Sequence, residues 1–235
     1  MNPRLVFLPG LGADASLFAP QLDVLGGETP AWIEPREQER LGDYALRFAE
    51  PHATAEPWIA IGFSFGGMVA LEAASRLSED RRPQGVILIS GLRSHAAVSL
   101  GFKVQRAVGG LVPRGLIRKA LEGPVPKAFA KADGLDDRCT EALASMARRA
   151  DVDFLMWASK ACCSWDFGGD CPVPVRHIHG KHDRIIPYVP HPAFEGGLAE
   201  LADAGHLLTW TAPDQVTGFI QRALRSMMPP AALDR

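Results

Sequence analysis

The chain has 235 residues, 47% of them hydrophobic, and its 25 Lys and Arg against 27 Asp and Glu leave a formal net charge of −2. That length suits one α/β domain, with or without a modest insertion, and is ample for a large core. The near-neutral charge and the lack of a long basic run argue against nucleic acid or an anionic membrane as the main partner. The apolar start at residues 5–8 breaks at Pro9 and Gly10, too early for a signal-peptide core or a membrane span. The expectation is a cytoplasmic protein, monomer or homodimer, that works on a small molecule without nucleic acid, membrane span, metal or other cofactor. Cys139, Cys162, Cys163 and Cys171 show no C-x-x-C or metal-like spacing and read as free thiols.

In chain order, residues 4–8 form a short apolar run ending in Pro9-Gly10-Leu11-Gly12, a strand followed by a loop. Asp14 and Ser16 can each cap the next helix, which carries Leu17, Phe18, Leu22 and Leu25 on one face and stops at Gly26-Gly27. Residues 30–35, bounded by prolines, read as a second strand, and Leu41, Tyr44, Ala45 and Phe48 mark a helix. The run Trp58-Ile59-Ala60-Ile61 is a buried strand, and residues 66–77 have helical spacing. Residues 85–90 are another apolar strand. Strands that are apolar throughout and alternate with helices imply a parallel sheet covered on both faces.

The rhythm breaks between residues 92 and 168, where helical patterns at 102–112, 116–121, 138–149 and 152–163 replace strands. Gly109-Gly110, Pro113, Gly123-Pro124 and Pro126 punctuate them. A helical excursion of that size between two sheet strands reads as a cap inserted into one domain of residues 1–235. Residues 174–180 restore a strand, residues 196–201 form a shorter one near the sheet edge, and residues 213–226 form the last helix.

Gly62-Phe63-Ser64-Phe65-Gly66 lies where strand turns sharply into helix. This is G-x-S-x-G in the context that exposes a serine hydroxyl above a sheet. A serine needs an adjacent base, normally an imidazole, which needs an anion to set its tautomer. Both must stand on loops at the carboxyl ends of the strands. Asp183 follows the strand ending at His179-Gly180, and His206 follows the last strand. The strand at residues 85–90 runs into Ser90-Gly91-Leu92 without a carboxylate, and Asp203 is too near His206 in sequence to reach its ring easily, which favours Asp183 as the acid. His177, His179 and His182 cluster locally, but no carboxylate spacing completes a familiar metal site. His52, His95 and His191 read as surface or loop residues.

These motifs, G-x-S-x-G at Ser64, His179-Gly180 through Asp183 to Pro187, and Gly205-His206, occur in the order Ser, Asp, His. In that order the chain resembles the α/β-hydrolase superfamily over nearly its whole length apart from the cap. The resemblance implies a doubly wound, mostly parallel sheet of about six strands. The chain departs from the family pattern at its start, where the first antiparallel pair is expected to be missing, and the helical cap read at residues 92–168 precedes the last two strands. Where many members carry His-Gly after the first strand, this sequence has Leu8-Pro9-Gly10-Leu11-Gly12. By resemblance, the backbone N–H groups of Leu11 and Phe65 form an oxyanion hole, each donor worth roughly 2.7 to 4 kcal/mol in the transition state. The expected pocket wall includes Met68, Phe102, Trp157, Trp165, Ile185 and Leu207. The implied activity is that of a serine hydrolase acting on a small apolar ester, or a thioester or amide. The alternatives are other chemistry on the same three residues, such as carbon–carbon hydrolysis or cofactor-free oxygen chemistry, and a non-catalytic binding protein that keeps the pocket.

Overall fold

The structure is a computed structural model that describes residues 3–54, 56–93, 95, 112–168, 170–188 and 199–228. Its centre is one five-stranded sheet: β1 (Arg4–Leu8), β2 (Trp58–Phe63), β3 (Gly85–Ile89), β4 (Val175–Gly180) and β5 (Ala199–Ala202). The strands stand side by side in that order and every pairing is parallel. A parallel sheet needs crossovers, and here they come as helices α1 (Ala19–Leu25), α2 (Leu41–Ala49) and α3 (Phe65–Arg76). The chain closes with a four-residue helix, α8 (Leu208–Thr211), and with α9 (Pro213–Met227).

Alternate residues of each strand supply two separate cores, as the two-residue period of a strand requires. Val6, Leu8, Trp58, Ala60, Val86 and Leu88 pack against α2 and α3, while Leu5, Phe7, Ile59, Ile61, Ile87 and Ile89 pack against Leu17, Phe18 and α9. Both faces are therefore covered, and the sheet is doubly wound.

Among the described residues five strands form rather than about six, because residues 30–35 do not make the expected strand. Among the described residues only Glu28 pairs with the outer edge of β1, through Phe7 N to Glu28 O at 2.8 Å and Glu28 N to Leu5 O at 2.9 Å. Pro30 has no N–H to extend that ladder. Trp32 instead turns into an aromatic cluster, with ring centroids 4.8 Å from Phe48 and 5.7 Å from Phe154.

Between β3 and β4 lie four described helices: α4 (Arg114–Glu122), α5 (Pro124–Asp133), α6 (Asp137–Arg149) and α7 (Val152–Cys163). The pattern read at residues 102–112 falls outside the described residues except for Val112. Helix α5 was not expected, since Pro124 and Pro126 read as punctuation. A proline in the first helical turn gives up an N–H that has no intrahelical partner there anyway, so Pro124 opens this helix. Asp136 caps α6 by accepting from Cys139 N, and Asp151 caps α7 by accepting from Asp153 N and Phe154 N. Arg149 at the end of α6 is paired with Asp14, which ties this helical layer to the loop after β1. No helix among the described residues is long and apolar enough to cross a membrane.

Candidate active site

Ser64 stands between the last residue of β2 and the first of α3, with φ 52° and ψ −115°. A non-glycine residue in that region is strained, typically by about 1–3 kcal/mol, and persists only where its surroundings impose it. Ser64 N donates to Ile89 O at 3.0 Å, and Gly67 N donates to Ser64 O at 3.0 Å, so both sides of the turn are held. The two glycines make the turn possible. A Cβ on Gly62 would lie 2.5 Å from Gly66 O, and one on Gly66 would collide with Leu8 O.

The loop after β4 presents Asp183, whose side chain is fully shielded from solvent. Its Oδ1 accepts from Ile185 N at 2.9 Å and Ile186 N at 2.8 Å. His206 Nδ1 donates to Asp183 Oδ2 at 2.7 Å. Burial by itself opposes ionisation of Asp183. The hydrogen bonds from His179, His206 and the Ile186 amide outweigh it and hold the carboxyl well below the usual carboxylate range. With Nδ1–H committed to an anion, a neutral His206 carries its lone pair on Nε2.

The His206 loop is fastened on further sides. Ser90, at the end of β3 and itself at φ 47°, donates from Oγ to His206 O at 2.7 Å. Leu207 N donates to the Asp133 carboxylate at the end of α5. The Phe63 ring meets the His206 ring edge-on at 5.0 Å between centroids. Neither Ser90 nor Asp133 was singled out from the sequence. Ser90 lay in a segment read only for missing carboxylates, and Asp133 lay in an unexpected helix.

Ser64 and His206 share the wall of one cavity of about 210 Å³. Among the described residues no hydrogen bond joins the two side chains. Leu11, Phe65, Met68, Ile185 and Leu207 also line this cavity, and so do Phe129, Met146 and Cys162 from α5, α6 and α7. The amides of Leu11 and Phe65 have no acceptor within the described chain, and that of Phe65 belongs to the unpaired first turn of α3. Trp157 and Trp165 do not line the cavity. Trp157 Nε1 donates to Glu39 O at 3.1 Å, and Trp165 Nε1 donates to buried Glu72 at 2.8 Å, so each indole is turned toward its hydrogen-bond partner instead. Phe102 lies outside the described residues. Asp203 is exposed and accepts from His182 Nε2 at 2.8 Å, away from His206.

The sequence profile of the alpha/beta hydrolase family matches residues 5–218. The chain belongs to the alpha/beta hydrolase family. Similar solved structures of this fold include a thermophilic esterase from Thermogutta terrifontis with malate bound, at TM-score 0.74 and 18% identity over 97% of this chain and 92% of that one. The enol-lactonase from Burkholderia xenovorans aligns at TM-score 0.66 and 17% identity, covering 96% of this chain and 92% of its own. MenH from S. aureus aligns at 0.64 and 16%, over 97% and 95% of the two chains. A search of curated protein sequences returned no match. At such identities the alignments speak for the fold. Within this alpha/beta hydrolase, the chemistry has to be argued from the site itself.

Proposed function

We propose that this alpha/beta hydrolase cleaves small apolar carboxylic esters through an acyl-enzyme on Ser64. The observation that carries the reading is the 2.7 Å bond from buried His206 to buried Asp183, placed on the same cavity as the strained Ser64. Ser64 Oγ attacks the carbonyl carbon while His206 Nε2 takes its proton. The oxyanion that forms is met by the amides of Leu11 and Phe65, and His206 returns the proton to the leaving alcohol. Water activated by the same imidazole then releases the acid and frees Ser64.

The cavity wall supports the substrate class. Apart from Ser64 and His206, its named side chains are apolar or, at Cys162, a thiol, and among the described residues no Lys, Arg, Asp or Glu lines it. A neutral, apolar acyl or alcohol group meets no desolvation cost there, whereas a charged one finds no ionic partner among the described residues. Helices α5, α6 and α7 act as the cap, since Phe129, Leu143, Met146 and Cys162 supply one side of the wall. The test is turnover of a p-nitrophenyl acyl ester together with fluorophosphonate labelling. Ser64→Ala is expected to abolish both while the fold is kept, and undiminished turnover in that variant would overturn the assignment.

A further inference from the structure

Beside Asp183, β4 carries two buried histidines that the chemistry above does not use. His177 and His179 are two residues apart, so their side chains share one face of the sheet, and they are only 3% and 2% exposed. Their neighbours settle where the protons lie. His179 Nε2 is 2.7 Å from Ile186 O, and a carbonyl only accepts, so Nε2 holds a proton. The same nitrogen is 3.3 Å from Asp183 Oδ2, the oxygen that also accepts from His206. A neutral His179 then has its lone pair on Nδ1, and His177 Nε2, 3.0 Å away, is the donor to it. Burial above all holds the His177 pKa well below the ordinary histidine value, and the nearby Arg93 charge acts in the same direction, so this end of the file stays neutral.

We infer that His179 is a positioning residue for the Asp183–His206 pair. Its Nε2–H shares Asp183 Oδ2 with His206 and moderates the negative charge offered to the imidazole, while His177 fixes the tautomer that makes His179 a donor. The inference rests on the reading of His206 as the base. Its consequence has a definite sign. Without the His179 proton, Asp183 presents more uncompensated charge, holds a protonated His206 more tightly, and delays release of that proton to higher pH. The other groups around the file are arranged as follows. Asp133 binds Leu207 N, Arg93 acts on His177, and the Tyr188 ring lies 5.7 Å from His179. Lys181, His182 and Arg184 of the Asp183 loop are exposed, and His182 is bonded to Asp203.

The experiment compares wild type, His179→Leu and His179→Gln by the pH profile of kcat/KM on a p-nitrophenyl ester. Proton NMR of the hydrogen bridging His206 and Asp183 is recorded in parallel. In His179→Leu, kcat is expected to fall roughly tenfold, the worth of one hydrogen bond to a charged group, with KM nearly unchanged. The acid limb should move to higher pH and the bridging resonance should shift. The Gln side chain carries an amide donor at similar reach, so His179→Gln should recover most of the rate and bring both limb and resonance back. An unmoved limb and resonance in His179→Leu overturn the proposal, as does a Gln variant that loses as much as Leu without a limb shift, which is the mark of a purely structural role. If His179→Leu does not fold, His177→Leu should move the limb the same way by less, and an unmoved limb there overturns the proposal too. Should Ser64→Ala prove active, the serine reading fails while the bridging resonance still decides the role of His179.

Discussion

Asp183 shows how much one side chain can decide when every atom around it has a fixed role. Oδ1 accepts two backbone N–H groups, from Ile185 and Ile186, and Oδ2 faces the nitrogens of His206 and His179. In Asp183→Asn the amide oxygen must stay with the two backbone donors, which turns the NH₂ group toward two ring N–H groups. His206 then relieves the conflict by moving its proton to Nε2, the nitrogen that must act as base. Steady-state kinetics should therefore show kcat lowered by about 10⁴-fold with little change in the fold, because the wrong tautomer alone costs about that much in such a constellation. A loss of only a few fold would mean that His206 does not depend on Asp183.

Among the elements, the helical layer and the sheet meet at the His206 loop. Asp133 closes α5, where the negative end of the helix dipole disfavours a carboxylate. What compensates is the Leu207 amide, a buried donor that would otherwise have no partner. Removing the acceptor with Asp133→Ala strands that amide, at a cost of about 1–3 kcal/mol. Both the thermal midpoint and kcat/KM are expected to drop, and Asp133→Asn, whose amide oxygen still accepts, should restore most of each. Equal losses in the two variants would assign the effect to charge rather than to the hydrogen bond. Ser90 serves the same loop from the sheet side, and its positive φ sits at a strand end just as that of Ser64 does.

For the whole molecule, His177 and His52 link stability to pH. His177 is held neutral in the fold and is free to take a proton near 6.5 in the unfolded chain. The unfolded state therefore binds more protons below that value, and the stability present above it is lost as pH falls, by up to about 1.4 kcal/mol per pH unit. His52, whose pKa burial also lowers, adds a slope of the same sign. Urea midpoints measured from pH 7 to pH 5 should decline for the wild type and decline less steeply for His177→Leu. Equal slopes would show that His177 is protonated in the fold as readily as out of it.

The alternation of apolar strands and helices, the turn at Ser64, and the placing of Asp183 and His206 after their strands were legible in the residues alone. Each is a local property of hydrophobic period or turn chemistry. What lay beyond the sequence depends on which partner a group finds across the fold. Residues 30–35 have strand-like composition, yet pairing stops at Glu28 because Pro30 offers no donor and Trp32 finds rings to pack on. Trp157 and Trp165 were expected at the pocket, but an indole N–H needs an acceptor, and Glu39 O and Glu72 lie elsewhere. His177 and His179 carry no motif, and only the loop that returns through Asp183 to Ile186 turns them into an ordered pair beside the aspartate. Hydrophobic period and turn chemistry were enough to place the candidate chemistry at the sheet's edge. The tertiary structure decided which side chains hold it there, because hydrogen bonds between residues as far apart as Ser90 and His206 exist only once the chain has folded.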